Sequence, residues 1–338
     1  LDYNGQRLAH IDRDAAGREI KRNLSNALST IFAYDPQGRL IEQSTGKLDS
    51  DARFCSTSHR QYQYNASGQL SCIDDARRGV THYHYDVLDR LTQVEGPLPE
   101  HFVHDPAGNI LSGGPRPSPE PQTNTSTGKR LSCYGDAHYD YDTRGNRITQ
   151  TRGTQKTHYR YNALNQLTDL IQNDVHTEYE HDPLGRRNSK HNAHSRTDFL
   201  WLDDVLLSER TQATDSTEAD KKTYLFEPNS FTPLAFIQKQ AIYHYHVDHL
   251  GTPQEITDSC GQVVWSVSYQ AYGNVVLAHE ERVENNLRLQ GQYFDEESGL
   301  HYNRFRYYDP EAGRFTQQDP IGLLGGVNSY QYVPNPIT

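Results

Sequence analysis

Apolar and aromatic residues recur along this chain in short segments with a period of two and not at helical spacing. Between Thr157 and Tyr161, for example, Thr157, Tyr159 and Tyr161 fall on one face of an extended chain, and His158 and Arg160 fall on the other. This alternation predicts β-strands with one aromatic face and one polar face. The polar face is expected to line solvent or a lumen.

A repeated turn unit separates these segments. Each copy has Tyr or His followed by Asp or Asn, then two variable residues and a position held by Gly, Asn or Asp, and most copies continue with a polar residue and Leu or Ile. The copies start at Tyr34, Tyr64, Tyr85, His104, Tyr141, Tyr161 and His181. The starts at 64, 85 and 104, and those at 141, 161 and 181, lie 19 to 21 residues apart.

The residue types of the unit are those of a β-hairpin. Tyr favours strands, Asp or Asn closes a turn through its own backbone, and Gly adopts the positive φ that such a turn requires. A single hairpin cannot bury a sheet face, so neighbouring units must pair into an extended sheet. The sequence therefore predicts an all-β repeat protein.

Two stretches lack the unit and are predicted to be surface loops. Residues 113–128 are rich in Pro, Ser and Thr, and residues 212–222 are polar and charged. The repeat rhythm is expected to end near Thr223, so we predict a repeat domain over 1–222 and a C-terminal core over 223–338. The density of Gly and aromatic residues in the latter predicts that residues 286–338 pack inward or against the repeat sheet as a plug.

Composition narrows the possible functions. A net charge of −11 argues against a nucleic-acid-binding surface, and no apolar run of about 18 residues is present to span a membrane. The chain contains no Met, so we interpret it as a piece of a longer product. The four Cys residues show no CxxC spacing, and no cofactor is expected.

One segment of the sequence suggests a metal-binding site. His244, His246, Asp248 and His249 have the spacing H-x-H-x-D-H, which is that of a dinuclear zinc hydrolase site. Such a site needs further ligands on later loops and an αββα sandwich, and the sequence shows no alternating helices. The remaining candidates are His279 and His301.

The residues also resemble a known family. The Tyr-Asp units resemble YD repeats, and the segment 243–253 (YHYHVDHLGTP) is similar to the hallmark of Rhs proteins. The segments 291–310 (GQYFDEESGLHYNRFRYYDP) and 319–328 (DPIGLLGGVN) are similar to the Rhs repeat-associated core. The chain is thus identified as a member of the Rhs/YD-repeat family, with structural motif positions at His249, Gly251, Asp309, Gly322, Gly325 and Gly326.

The resemblance implies a fold and a function. Family members wind β-hairpins into a hollow, cocoon-like shell that encloses a C-terminal toxin domain, and the C-terminal core closes it. It implies a bacterial polymorphic toxin that is made in the cytoplasm of a Gram-negative cell, secreted by the type VI route and used against competitors. The implied partners are the cleaved toxin domain, the N-terminal part of the shell, secretion-spike and chaperone proteins, and an immunity protein that acts on the toxin.

The resemblance also implies one chemical step. The family releases its toxin by a single, aspartic-protease-like self-cleavage after a second Asp-Pro-x-Gly-Leu motif, which would begin beyond Thr338. Matching by position gives Asp319 and Arg306 as catalytic residues, with Arg304 and Arg314 as competing choices for the arginine. Taken alone, residues 319–322 are a turn sequence, and Asp309 is interpreted as a turn residue without a chemical role.

Two other functions stay open from the sequence. One is a cell-surface or carbohydrate-binding YD-repeat protein that encloses no toxin. The other is the zinc hydrolase.

Overall fold

The computed structural model describes residues 2–51, 53–116, 123–125, 129–333 and 335–337. Within these ranges the chain folds into antiparallel sheets in which strands adjacent in sequence are adjacent in space. The all-β prediction is confirmed. The described part of the chain has no helix long and apolar enough to cross a membrane.

The first third of the chain forms a ten-stranded sheet, preceded by a two-stranded ribbon. The ribbon consists of β1 (Asp2–Tyr3) and β2 (Gln6–Arg7). The sheet consists of β3 (Ala9–Arg13), β4 (Glu19–Leu24), β5 (Ser29–Tyr34), β6 (Leu40–Leu48), β7 (Phe54–Tyr64), β8 (Leu70–Asp75), β9 (Gly79–Tyr85), β10 (Leu91–Glu95), β11 (Glu100–His104) and β12 (Ile110–Gly114).

A second sheet of sixteen strands follows. Its strands are β13 (Thr123–Thr125), β14 (Leu131–Tyr134), β15 (Ala137–Tyr141), β16 (Arg147–Arg152), β17 (Gln155–Tyr161), β18 (Leu167–Gln172), β19 (Val175–His181), β20 (Arg187–His191), β21 (Ser195–Leu202), β22 (Val205–Ala213), β23 (Ala219–Phe226), β24 (Pro233–Gln238), β25 (Ala241–Val247), β26 (Pro253–Thr257), β27 (Val263–Tyr269) and β28 (Val275–Glu281).

The C-terminal core forms a separate four-stranded sheet. It consists of β29 (Tyr293–Asp295), β30 (Leu300–Asn303), β31 (Arg306–Asp309) and β32 (Arg314–Phe315), and a 3-10 helix follows at Gly322–Gly325. We call this sheet the plug sheet. It packs against the sixteen-stranded sheet, with Tyr293, Tyr302 and Tyr307 in one apolar cluster with Tyr159 and Tyr179 of the repeats.

The repeat turn is stabilised within each unit by its Asp. Asp35 Oδ1 accepts the backbone N–H groups of Gln37 and Arg39, each at 2.9 Å, and Arg39 Nε donates to Asp35 Oδ2 at 2.6 Å. The N–H of Gly38, at φ +86°, donates to the Asp35 carbonyl. These bonds satisfy the backbone groups that the turn removes from the strand ladder.

The Arg and Tyr of the unit connect consecutive hairpins. The Arg39 guanidinium lies 4.6 Å from the centroid of the Tyr64 ring, and the Tyr64 hydroxyl donates to the Leu40 carbonyl at 2.9 Å. Arg18 and Tyr34 repeat this arrangement one unit earlier. These two turns therefore support the strand of the next unit through a cation–π contact and a hydrogen bond.

The predicted alternation of faces is also present. On β17, Thr157 and Tyr159 are buried and His158 and Arg160 are exposed. Side chains near the N-terminal end of the ten-stranded sheet contact residues near the C-terminal end of the sixteen-stranded sheet. The contacts join Arg22 to Glu227, Asn26 to Thr257 and Gln43 to the Val247 carbonyl.

Two expectations about segment boundaries need correction. Residues 212–222 are not a loop over their whole length, because β22 and β23 continue through most of them and Gln212 pairs with Ala219. The repeat rhythm does not end near Thr223. The same turn recurs at Asp248–Thr252, Asp258–Gln262 and Gln270–Asn274, and the sheet continues to Glu281.

The predicted loop over 113–128 and the predicted domain boundary at 222/223 have other outcomes. The strand β12 includes Gly113 and Gly114, so the predicted loop 113–128 begins inside the sheet. Residues 117–122 and 126–128 of that loop lie outside the described residues. A division into folding units at 222/223 stays a prediction, and the position falls within β23.

Candidate functional site

The plug sheet is held to the repeat sheet by a buried ion pair between Arg187 and Asp295. Arg187 Nη1 donates to Asp295 Oδ1 at 2.6 Å, and the two side chains are 1% and 0% exposed. The guanidinium lies 4.7 Å from the ring centroid of Tyr302 and 4.8 Å from that of Phe199. Burial alone would raise the pKa of Asp295, but Arg187 and Lys190 outweigh it and hold that pKa below its usual value.

A second buried ion pair joins Arg147 to Asp309. Arg147 Nη1 donates to Asp309 Oδ2 at 2.8 Å, and the Arg147 side chain is fully buried. Asp309 Oδ1 accepts the backbone N–H groups of Glu311 and Ala312. Asp309 is therefore a turn residue, as the sequence indicates, and also the partner of a buried cation, which the sequence analysis did not predict.

Both arginines occupy the position of the repeat where other copies carry Leu or Ile. In four other copies this position holds a buried apolar residue, namely Leu70, Leu91, Ile110 or Leu167. Arg147 and Arg187 are buried as well. The sequence therefore contained a signal for these two ion pairs, namely a charged residue at a repeat position that is otherwise apolar and buried. A buried guanidinium is costly unless it is paired, and both of these pair with a carboxylate of the plug sheet, so the two exceptions mark where the plug sheet docks.

The two residues predicted to be catalytic lie together, with Arg306 at the start of β31 in the plug sheet and Asp319 in the turn that follows the sheet. Arg306 Nη2 is 3.1 Å from Asp319 Oδ2, and the side chains are 16% and 14% exposed. The Arg306 guanidinium is stacked 3.6 Å from the centroid of the Phe315 ring, which fixes its plane. Burial lowers the pKa of Arg306, although Asp319 opposes that effect.

The backbone around Asp319 forms the expected turn. Asp319 Oδ1 accepts the N–H of Ile321 at 3.0 Å, and the N–H of Gly322 donates to the Asp319 carbonyl at 2.9 Å. A Cβ at Gly325 would come within 2.7 Å of Asp319 Oδ2, so only glycine permits the backbone to approach the carboxylate this closely. Gly322 and Gly326 adopt positive φ of +59° and +118°. The apolar side chains of the turn are exposed, with Leu324 at 91%.

The competing arginines are occupied elsewhere. Arg304 pairs with Asp204 at 2.5 Å, and its guanidinium lies 4.1 Å from the centroid of the Phe305 ring. Arg314 Nη2 donates to the Lys129 carbonyl at 2.7 Å. Of the three candidates, Arg306 is the one that contacts Asp319.

The histidines of the H-x-H-x-D-H segment do not converge. His244 Nε2 lies 2.9 Å from Ser25 Oγ, and His246 Nε2 lies 2.8 Å from Thr257 Oγ1. Burial lowers the pKa of each of these two histidines to about 4. Across the described ranges, no group of three or more His, Cys, Asp or Glu side chains is placed to hold a metal ion.

The other members of that segment have structural partners. Asp248 closes the turn 248–252 by accepting the N–H groups of Leu250 and Thr252. His249 Nε2 lies 2.8 Å from the carbonyl oxygen of Ile337. The further metal candidates, His279 and His301, contact Ser268 and Gln292.

Comparison with known proteins agrees with this architecture. Residues 64–328 match the family model described as Teneurin YD-shell. The chain belongs to the Rhs/YD-repeat family. This YD-repeat chain is 35% identical over its whole length to double-stranded DNA deaminase toxin A of Burkholderia cenocepacia, and 29% identical over 97% of its length to toxin protein Tse5 of Pseudomonas aeruginosa.

The fold of the YD-repeat chain is also found in solved structures of Tc toxin proteins. It superposes on the complex of TcdB2 with TccC3 with a TM-score of 0.81 at 21% identity, and on the Photorhabdus luminescens Tc holotoxin pore with a TM-score of 0.82 at 20% identity. The matches cover 99% and 100% of the chain. The chain spans 26% and 30% of the two curated relatives, and 20% and 19% of the two solved chains.

Proposed function

We propose that this chain is the C-terminal part of a toxin-encapsulating shell that releases its toxin by one intramolecular peptide cleavage. The contact of Arg306 with Asp319 carries the proposal, because it pairs a mostly buried carboxylate with a guanidinium that is fixed by stacking on Phe315. The names of the curated relatives support a toxin, and the all-β fold supports a shell. Delivery by type VI secretion to competing bacteria, with the partners named above, belongs to the same proposal.

The proposed chemistry is hydrolysis by two carboxyl groups. Asp319 is one of them, and the other belongs to a second Asp-Pro-x-Gly-Leu motif that follows Thr338 in the parent protein. One carboxylate takes a proton from water, the water oxygen bonds to the scissile carbonyl carbon, and the other carboxyl protonates the leaving nitrogen as the C–N bond breaks. Arg306 orients Asp319 and offers N–H donors to the oxyanion that forms.

Asp319→Asn in the full-length protein tests this function. An amide keeps the turn but cannot accept the proton, so we expect wild type to run as two fragments on a denaturing gel and the variant to run as one intact chain. Asp258→Asn is the matched control, since Asp258 closes a similar turn through the N–H groups of Cys260 and Gln262. It should cleave as wild type does.

Two results would reject the proposal. Cleavage of Asp319→Asn at the wild-type rate removes Asp319 from the chemistry. A wild-type protein that stays intact removes self-cleavage altogether. Circular dichroism of each variant establishes that the β-sheet content is unchanged, so that loss of cleavage is not loss of fold.

A further inference from the structure

The segment Asn335–Ile337, which we call the tail, is held by a side chain of the distant turn 248–252. The carbonyl oxygen of Ile337 lies 2.8 Å from Nε2 of His249. A carbonyl only accepts hydrogen bonds, so His249 carries its proton on Nε2 and donates it to the tail backbone. The other ring nitrogen, Nδ1, is buried without a hydrogen-bond partner.

The position of His249 in its turn differs from that of its equivalents. The turn 248–252 has the repeat geometry, because Asp248 Oδ1 accepts the N–H groups of Leu250 and Thr252, each at 2.9 Å. The residue after the turn Asp projects into solvent in other copies, and Val87 at this position is 98% exposed. His249 is instead half-buried, with its ring centroid 5.2 Å from that of Tyr62.

The turn itself is held firmly, so the imidazole is presented in one orientation. Gly251 has φ +82°, and a Cβ there would come within 2.8 Å of Thr232 Oγ1. Asp248 Oδ2 accepts a hydrogen bond from Gln254 Nε2 at 2.9 Å. Ring packing and a fixed turn together reduce the entropy that His249 loses when it binds the tail.

The Ile337 side chain of the tail also packs against the rest of the protein. Ile337 is 8% exposed and belongs to the second apolar cluster, with Tyr62 and Tyr272. Its N–H donates to Asn335 Oδ1 at 3.0 Å, which bends the backbone so that the carbonyl faces His249. The tail therefore has one apolar and one polar attachment.

The tail borders a cavity of about 160 Å³ between the two large sheets. Its lining includes Thr252 and Tyr269, whose hydroxyl oxygens are buried without hydrogen-bond partners. Unpaired buried hydroxyls destabilise a fold unless water or another polar group satisfies them. The cavity therefore offers polar contacts to backbone beside the His249 attachment.

We propose that His249 is a positioning residue that holds the tail by its Ile337 carbonyl and thereby fixes the path of the chain toward the cleavage site. This inference rests on the proposed function. Because His249 binds a backbone carbonyl and not a side chain, it sets position without selecting the residue. A displaced tail would place the second carboxyl and the scissile bond out of reach of Asp319, and small misplacements of reacting groups lower rates by large factors.

A matched pair of variants separates the hydrogen bond from packing. In the full-length protein, His249→Phe keeps a ring against Tyr62 but removes the donor, and His249→Gln keeps an N–H donor at nearly the position of Nε2. We expect His249→Phe to slow the appearance of the cleaved fragments in a cell-free translation time course at least tenfold. His249→Gln should restore most of the rate.

Hydrogen exchange tests the attachment independently of cleavage. In the uncleaved Asp319→Asn background, adding His249→Phe should raise deuterium uptake in peptides covering 331–337 and leave that of β25 and β26 unchanged. Ile337→Ala, which leaves His249 unchanged and removes the apolar attachment of the tail, should raise the same uptake and slow cleavage, and it serves as the second variant should His249→Phe misfold.

The outcomes distinguish this inference from the proposed function. Unchanged uptake in both tail variants overturns the attachment, whether or not the protein cleaves. Raised uptake with a wild-type cleavage rate overturns the positioning role. A wild-type protein that never cleaves overturns the proposed function, while the uptake of the tail still decides whether His249 holds it.

Discussion

Arg187 and Asp295 lie 108 positions apart in sequence, yet the guanidinium donates to the carboxylate at 2.6 Å with neither side chain more than 1% exposed. The pair joins the first residue of β20 to the last residue of β29, and so joins the sixteen-stranded sheet to the plug sheet. The Tyr179 hydroxyl also donates to Asp295, at 2.6 Å. The Asp295 carboxylate thus has both an ion-pair partner and a hydrogen-bond donor, and a buried ion needs both.

Arg187→Leu, which restores the apolar residue of most repeats, is expected to destabilise the protein. It removes the closest cation from buried Asp295 and leaves only Lys190 Nζ, at 3.7 Å; removing one partner of a buried pair costs about 3–5 kcal/mol. Urea denaturation followed by fluorescence measures the loss. Arg196→Ala is the control, because the pairs of Arg196 with Asp198 and Glu180 lie at the surface and each contributes at most about 1 kcal/mol.

The double variant Arg187→Leu with Asp295→Leu tests the cause. Removing both charges should recover stability relative to Arg187→Leu, since no unpaired ion remains. If Arg187→Leu lowered the urea midpoint no more than Arg196→Ala, the ion pair would not be the anchor of the plug.

Asp309→Asn is expected to separate stability from cleavage. The amide can still accept the N–H groups of Glu311 and Ala312, but it leaves Arg147 without its counter-charge, at a cost on the order of 3 kcal/mol. Self-cleavage of the full-length variant should proceed, because Arg147 and Asp309 form a pair separate from that of Arg306 and Asp319. A lower thermal midpoint with complete cleavage is the expected result, and loss of cleavage in folded protein contradicts it.

Gly325→Ala is expected to slow self-cleavage without unfolding the shell. Its Cβ would lie 2.7 Å from Asp319 Oδ2, so the carboxylate must move away from Arg306. Gly322→Ala is the control, because no atom lies within 4 Å of its added Cβ and alanine tolerates φ +59° at a cost of roughly 1–2 kcal/mol. A time course in which the two variants cleave equally would show that the close approach of Gly325 is unimportant.

The free energy of unfolding is expected to fall as the pH drops from about 6.5 toward about 4. Burial lowers the pKa of four histidines from 6.5 to about 4, and these are His104, His181, His244 and His246. Below pH 6.5 the unfolded chain takes up protons that the folded chain does not, so acid favours unfolding until about pH 4. Urea midpoints between pH 7 and 4 measure the slope.

His246→Gln should flatten that pH dependence by up to about 3 kcal/mol, since a shift of one pKa unit corresponds to about 1.4 kcal/mol. The groups that act on His246 are Glu255, His244, Arg22 and Arg60. Glu100 works in the opposite direction, because burial raises its pKa to about 7 and its protonation in the folded state favours folding below that pH. A slope unchanged in His246→Gln would assign the acid sensitivity to other groups.

The sequence by itself determined the local architecture. Alternating faces and the turn unit depend on contacts between residues two to four apart, such as those of Asp35 with Gln37 and Arg39, so their residue types reveal them directly. The same local logic places a turn at Asp319 and at Asp248. The resemblance to Rhs proteins added the choice of Arg306 and Asp319, although three arginines were available to the sequence analysis.

The tertiary structure decided which distant residues meet. Arg147 and Asp309 are 162 positions apart, and His249 and Ile337 are 88 apart. Such pairs form where the two large sheets and the plug sheet come into contact, and the way these sheets meet depends on the accumulated twist of many strands, so no short stretch of sequence encodes it. Burial makes these pairs important for stability, because an ion or a carbonyl group that is removed from water needs an ionic or hydrogen-bonding partner within the fold.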